Sequence, residues 1–417
     1  MSDGGRRGDK RQRGLQSRRR ADSTAAGNRA GIFSALAIAT VALATAACGA
    51  APAMAPATPP TFRVLTNAGV SRGDIFTADF GPPSGYGTGP EILSTIGRVI
   101  WYHPVPAGAR VTDFRTQTYL GKPVLTWSQQ RSFGGTATDY IYNDHYKQIA
   151  AVKAGGGAAA GMHEFLITPW NTALITATMT TTANLTAIGG PKDQTVTDGI
   201  VQEIDIRTGK VLFQWNSAGH VPYGDSHLPL PPEANEAWDW FHLNAVHLGP
   251  SGNLVISSRY TWTVYNVNRH TGKVLWQLGG KHSSFTEKAA PGPVLDKAGE
   301  IFAFQHDPEA VSEDVYTVFD DESDGVSELP YSRAVTIRLN FRTRVATLVK
   351  SEKQPEGLGT SAFGSVQTMS NGDQFVGWGE APYISELSRS GKLLFNAKFP
   401  SGVFTYRAYL LPWHPAG

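Results

Sequence analysis

Three histidines far apart in the chain sit in short, otherwise apolar segments: His163 in "HEFLI", His242 in "HLNAV" and His306 in "FQHDP". Asn244 accompanies the second, and Arg259 follows "VISS" a little further on. A neutral imidazole can attack as a nucleophile or carry a proton near neutral pH. A guanidinium is a rigid fork for an oxyanion, and a carboxamide is a compact neutral donor. Such a set, poor in acids, favours a sulfate- or phosphate-like group. Arg259 has an alternative reading as the partner of an acid such as Asp239. Three histidines are also a metal-ligand set, but no His-x-His or His-x-x-x-His spacing occurs and no clear carboxylate ligand accompanies all three, so no metal is expected. P-loop, GxSxG and dinucleotide-binding motifs are absent, and no cofactor is expected.

These residues need elements that bring them together. Gly-rich hairpins recur: "TIGRVIW", "RTGKVLFQW", "HTGKVLWQL" and "RSGKLLFNA", with degenerate copies "DHYKQIAAV" and "FRTRVATLV". Their turns centre on Gly97, Lys147, Gly209, Gly272, Arg344 and Gly391, so successive copies lie 47 to 72 residues apart. Glycine supplies the positive φ of a tight hairpin, and the Val, Leu, Phe and Trp that follow suit a strand packed on its neighbour. Six such units predict an all-β, six-bladed β-propeller over residues 62–417. The competing arrangement is a pair of β-sandwiches.

In a propeller the first strand of each blade lines the axis. "HEFLI", "HLNAV", "FQHDP" and "GSVQT" (364–368) take that position, which converges His163, His242 and His306. Strict alternation would put His242, Asn244 and Val246 on one face and Leu243 and Ala245 on the other. His103, His145, His220, His227, His247, His270, His282 and His414 are assigned to loops, hairpins or the tail, without a role. The acidic run "FDDESDGVSE" (319–328) reads as a solvated loop rather than a calcium site, because it lacks EF-hand spacing.

The charge is uneven. The chain of 417 residues has a formal net charge of +2, but residues 1–29 carry the basic excess. The remainder is close to neutral, and no nucleic-acid partner is expected. An uncharged stretch from Ala30 to Cys48 follows the basic run, as in an export signal. Cys48 is the only cysteine, follows "TAA" and fits a loose bacterial lipobox, which predicts a lipid anchor on the outer face of the cell membrane. Residues 1–48 are thus the signal, and 49–61, rich in Ala and Pro, a flexible tether. The chain then needs neither a disulfide nor a catalytic thiol.

Taken with their order, "HEFLITP", "GIVQEIDIRTGKVLFQW", "DWFHLNAVHLGPSGNLVISSRY", "FQHDPEA", "SRAVTIRLN", "GSVQTMSNGDQFVGWG" and "TYRAYLLPW" resemble the arylsulfotransferases, in the branch common to actinobacterial and fungal proteins. The resemblance implies a six-bladed propeller that moves a sulfuryl group from an aryl sulfate ester to a phenol without a nucleotide donor, through a sulfohistidine. It implies that His306 is the nucleophile, that His242, Asn244 and Arg259 grip the sulfuryl oxygens, and that His163 is a further active-site histidine serving the phenol oxygen. Phe241, Trp240, Trp238 and Phe304 are either substrate-stacking or core aromatics. The alternatives are a non-catalytic cell-surface binding propeller, an aryl sulfatase and a metal-dependent hydrolase on the same scaffold.

Overall fold

A computed structural model describes residues 58–81, 85–323 and 329–416. The expected export signal, Cys48 and most of the expected tether lie outside the described residues. Six sheets, each built on four antiparallel strands, form six blades. Their inner strands are Thr405–Leu411, Arg110–Tyr119, Ala159–Ile167, Leu243–Leu248, His306–Ala310 and Ser365–Thr368, from the first blade to the sixth. Each touches the next, and the sixth touches the first, so the ring closes. The first blade does the closing: the C-terminal strand Thr405–Leu411 pairs with Asp74–Asp79 near the start of the fold. The edges are covered too. Arg63–Asn67 adds antiparallel to the outer edge of the sixth blade, and Thr286–Ala289 adds parallel to that of the fifth.

All six repeat centres join the third strand of a blade to its fourth. Gly97, Gly209, Gly272 and Gly391 have φ of 72–84°. In the degenerate copies the left-handed position falls on Tyr146, one residue before Lys147, and on Arg344. Both are strained for a side chain, which explains why those two copies look worn.

The apolar residues form six inter-blade layers rather than one core. Trp215 and Phe241 fill the layer between the third and fourth blades, Trp276 and Phe302 that between the fourth and fifth, and Phe375 and Phe395 that between the sixth and first. Trp215 also donates its indole N–H to the carbonyl of Gly272, so a strand of one blade is tied to the hairpin of the next. Truncating such an aromatic costs about 3–5 kcal/mol. Trp238, Trp240 and Phe241 are all within this packing and almost fully buried, which settles them as core.

Five inner strands break their ladder with a β-bulge, and the bulges aim side chains at the axis. Two residues of the second inner strand, Asp113 and Phe114, face a single step of the partner strand. The same happens at Tyr406 and Arg407 in the first blade and at Asp307 and Pro308 in the fifth. In the third blade the irregular stretch lies between Ala160 and Phe165 and holds His163 and Glu164. In the fourth it is Asn244, between Leu243 and Ala245. That bulge overturns strict alternation: Leu243 and Val246 join the same apolar layer, three residues apart.

Candidate functional site

The three histidines and Arg259 converge on one end of the axis, with Asn244 packed beneath. The rings of His163 and His242 are 5.3 Å apart, edge to face. His242 has φ 50° and immediately precedes its strand. Its Nδ1 is 2.5 Å from Oδ2 of Asp239, leaving Nε2 as the remaining ring nitrogen. Asp239 therefore serves His242 and not Arg259.

His306 is held most firmly. Its Nδ1 lies 2.5 Å from Oδ2 of Asp321, and both groups are buried. The Thr360 hydroxyl donates to the other oxygen of Asp321 at 3.0 Å, and Arg259 Nη1 donates to Oδ2 at 3.3 Å. With Nδ1–H donating to the carboxylate, Nε2 carries the lone pair. Burial, then the charges of Arg259, His163 and His242, push the His306 pKa well below its ordinary value. Burial raises that of Asp321, and Arg259 opposes the rise. His163 is also pushed well below the histidine range, first by burial and then by His242 and Arg407. Its Nδ1 is 2.7 Å from the hydroxyl of Tyr406.

Arg259 differs from a free anion clamp. Nη1 donates to the carbonyl of Phe304 as well as to Asp321, and Nη2 donates to the carbonyls of Ser323 and Ser361. Four donations fix the guanidinium beside His306, so its positive field is preorganised while its Nη protons are occupied. Asn244 donates to the carbonyl of Gln305, and its Oδ1 is buried without a partner. It thus positions the segment before His306.

Two sequence expectations fail here. Residues 319–323 are buried, not solvated: Asp320 and Glu322 both pair with buried Arg333, and Asp321 backs His306. Residues 324–328 lie outside the described residues. His247 is no bystander either. It sits in the inner strand of the fourth blade, 3.2 Å from Glu164 and 3.4 Å from Asp307, and those carboxylates raise its pKa to about 10 against the effect of burial. Glu164, His247 and Asp307 are spaced closely enough for a metal ion. However, Nη1 of Arg407 lies 2.9 Å from Glu164 Oε2 and 3.4 Å from Asp307 Oδ1, so the cation at this position is the chain's own.

A model of the family described as arylsulfotransferase (ASST) matches residues 115–400, more than half of the chain. The chain belongs to the arylsulfotransferase family. No curated protein matches it. Among solved structures, a protein of unknown function from Bacteroides caccae is similar at 11% identity and TM-score 0.47, over 81% of this chain and 98% of that one. An inactive variant of virginiamycin B lyase from Staphylococcus aureus, with quinupristin, is similar at 10% identity and TM-score 0.36, over 80% and 86%. The β-propeller domain of Cps50 from Myceliophteria thermophila is similar at 12% identity and TM-score 0.40, over 83% and 89%. None of these likenesses carries weight for function.

The candidate site has an apolar side that the sequence did not signal. Phe80, Met162 and Tyr406 pack together, with Phe363 and Phe404 against them. The ring of Phe363 is 5.2 Å from that of Tyr406, whose hydroxyl touches His163. Phe133, 72% exposed, stands 6.1 Å from Phe80. Phe363 has φ 72°, a costly conformation for a large side chain outside a functional context. Phe304, by contrast, lies beneath Arg259 at 5.1 Å and against Trp262 at 5.0 Å. The imidazoles thus border a wall of aromatic rings.

Proposed function

We propose that this arylsulfotransferase moves a sulfuryl group from a phenolic sulfate ester to a phenol through a sulfohistidine at His306. The observation that carries the reading is the His306–Asp321 contact at 2.5 Å. It fixes the tautomer that frees Nε2, while burial beside Arg259 keeps the ring unprotonated. In the first half-reaction Nε2 bonds to sulfur, the sulfur–oxygen ester bond breaks, and the phenolate leaves with its electron pair and then takes up a proton. In the second, the acceptor phenol gives its proton to a base, its oxygen attacks sulfur, and the nitrogen–sulfur bond breaks to restore His306. His163 is the base of choice: it is neutral, and it lies on the border of the aromatic wall. His242, held through Nδ1 on Asp239, supplies an Nε2–H donor for the sulfuryl oxygens in its imidazolium form, and Arg259 the fixed positive field.

The test is p-nitrophenyl sulfate with a panel of phenols and no nucleotide donor. Acceptor-dependent p-nitrophenol release is expected, and His306→Ala should abolish it. Release without acceptor would move the reading to a sulfatase, and no release from folded protein would overturn it in favour of a binding propeller. The sign of the pH effect follows from the depressed His306 pKa. Activity should hold as pH falls through about 6.5, the ordinary histidine value, and decline only in more acid solution.

The aromatic wall is the reading's second support. Phe363→Ala should raise KM for the phenol about tenfold or more, by loss of ring contact of about 1–3 kcal/mol, with a smaller change in kcat. Acceptor titration at saturating donor measures this. From the sequence we also infer export and lipid anchoring at Cys48; mass spectrometry of the mature N-terminus would show the acylated cysteine or refute it.

A further inference from the structure

The first blade holds a cluster of buried oxygens with nothing to bond. Asp79 and Glu91 are 2% and 1% exposed, and all four of their carboxylate oxygens are without a hydrogen-bond partner among the described residues. Thr405 is 2% exposed, and its hydroxyl is likewise unpartnered. The ladder puts the three side chains together. Asp79 pairs directly with Thr405, so their side chains share a face. Glu91 pairs with Thr77, two residues before Asp79 on the same face, which makes Asp79 and Glu91 diagonal neighbours. Ile75 and Leu93 continue this face into the apolar layer shared with the sixth blade. The cluster is therefore closed between two blades, near the end of the axis that carries the histidines.

Its charge is not balanced from within. Burial pushes Glu91 well above the carboxylate range, and Asp79 pushes it further; no cation opposes this. Asp79 is raised to about 8, chiefly by burial. The Arg110 guanidinium and the Phe404 backbone N–H pull it down, but neither closes a hydrogen bond on its carboxylate. Arg110 is instead turned to the carbonyl of Ala109 and stacked over Phe80 at 5.6 Å. Two buried carboxylates with orphaned oxygens are costly as ions, and as neutral acids they would still need acceptors for their protons. Elsewhere this protein solves the same problem with arginine: Arg333 serves Asp320 and Glu322, and Arg407 serves Asp113, Glu164 and Asp307. The pair in the first blade has no such partner.

We propose that Asp79, Glu91 and the Thr405 hydroxyl form a binding site for a hard divalent cation. Two carboxylates neutralise its charge, and five oxygens suit calcium, which takes a large and flexible set of oxygen ligands, better than zinc or copper, which favour nitrogen and sulfur. Main-chain carbonyls or water would complete the shell. The site joins Thr405, on the strand that ends the fold, to Asp79 and Glu91, on strands near its start. A bound ion would lock the closure of the ring, and it would steady Phe80, Phe404 and Tyr406, the immediate chain neighbours that form the aromatic wall.

The experiment uses the purified full-length protein, stripped with EDTA and then titrated with Ca2+ or Mg2+. Thermal unfolding should shift upward by several degrees once the ion reaches about a hundredfold excess over its Kd, with one ion per chain by elemental analysis. D79N/E91Q should lose the shift and the bound ion, and unfold no lower than the stripped wild type, since it has lost uncompensated charge. Should that variant fail to fold, Thr405→Val is expected to raise the Kd for Ca2+ about tenfold. The proposal is overturned if neither ion binds or shifts the transition, or if D79N/E91Q responds as the wild type does. None of these readouts depends on sulfuryl transfer, so this site and the proposed reaction stand or fall separately.

Discussion

Asp321→Asn is expected to slow sulfuryl transfer about ten-thousandfold, nearly as much as losing His306 itself. As a carboxylate, the form that the donations from Arg259 and Thr360 favour against burial, Asp321 can only accept from His306 Nδ1 at 2.5 Å, which keeps the proton on Nδ1 and the lone pair on Nε2. An asparagine can turn its NH2 to the same nitrogen. Nδ1 then becomes the acceptor, the proton moves to Nε2, and the nucleophile is blocked while its position is unchanged. An amide behind a catalytic imidazole has been found to cost about 10⁴ in turnover by this route. Two comparisons separate a wrong tautomer from a damaged site. Thr360→Val removes the donor to the far oxygen of Asp321 and a hydroxyl contact with Ser332, leaves the His306 contact in place, and should cost far less. Donor binding by Asp321→Asn, measured as Kd for the aryl sulfate, should stay within a few-fold of wild type, because the aromatic wall and His242 are untouched. A variant that forms the sulfohistidine at the wild-type rate would refute the assignment of Asp321.

That residue marks where the sequence stopped being legible. The six hairpins could be read because each needs a left-handed turn followed by a packed strand, and those demands leave glycine and aromatic residues at fixed offsets. His163, His242 and His306 could be found because a polar residue in an apolar inner strand is conspicuous. Asp321 could not. It stands in "FDDESDG", where acidity and a glycine signal a loop in water, and only the fold shows Asp320 and Glu322 paired with Arg333 and the middle acid turned to the histidine. The bulges hid the rest. Strict alternation is right for a regular strand, but Asn244, Asp307, Glu164 and Arg407 all lie in irregular steps. His247 was missed for the complementary reason: a histidine is unremarkable until the two acids that protonate it arrive from other blades. The available signal was "TYRAYLLPW", where an arginine interrupts a closing strand of tyrosine and leucine.

The arginine in that segment carries the second large expectation: Arg407→Leu should destabilise the protein by about 3–5 kcal/mol, visible as a clear fall in the unfolding midpoint. Nη1 of Arg407 is 3.1 Å from Asp113, 2.9 Å from Glu164 and 3.4 Å from Asp307, which belong to the inner strands of the second, third and fifth blades. Nη2 reaches the carbonyl of Asn244 in the fourth at 3.4 Å. Leucine fills much of the space, but the cost lies in the three carboxylates, which then share only Arg115, beside Asp113 and Glu164, and His247, beside Glu164 and Asp307. The variant's pH dependence identifies the mechanism. In the wild type, the depressed pKa values of Glu164 and Asp307 contribute stability that is present above the ordinary carboxylate range and is lost as pH falls. His247, raised to about 10, contributes stability that is complete below about 6.5 and is lost as pH climbs toward 10. Without Arg407 the acids lose their main reason to stay ionised, so the variant should be closest to wild type in acid and furthest from it near neutrality. Adding Glu164→Gln and Asp307→Asn to Arg407→Leu should recover part of the loss, since it removes the stranded charge. A uniform deficit at all pH values, unrelieved by those changes, would show that Arg407 acts through packing alone. Because the same guanidinium holds the neighbours of His163, His306 and Asn244, turnover should fall along with stability, and it should not return fully in the triple variant.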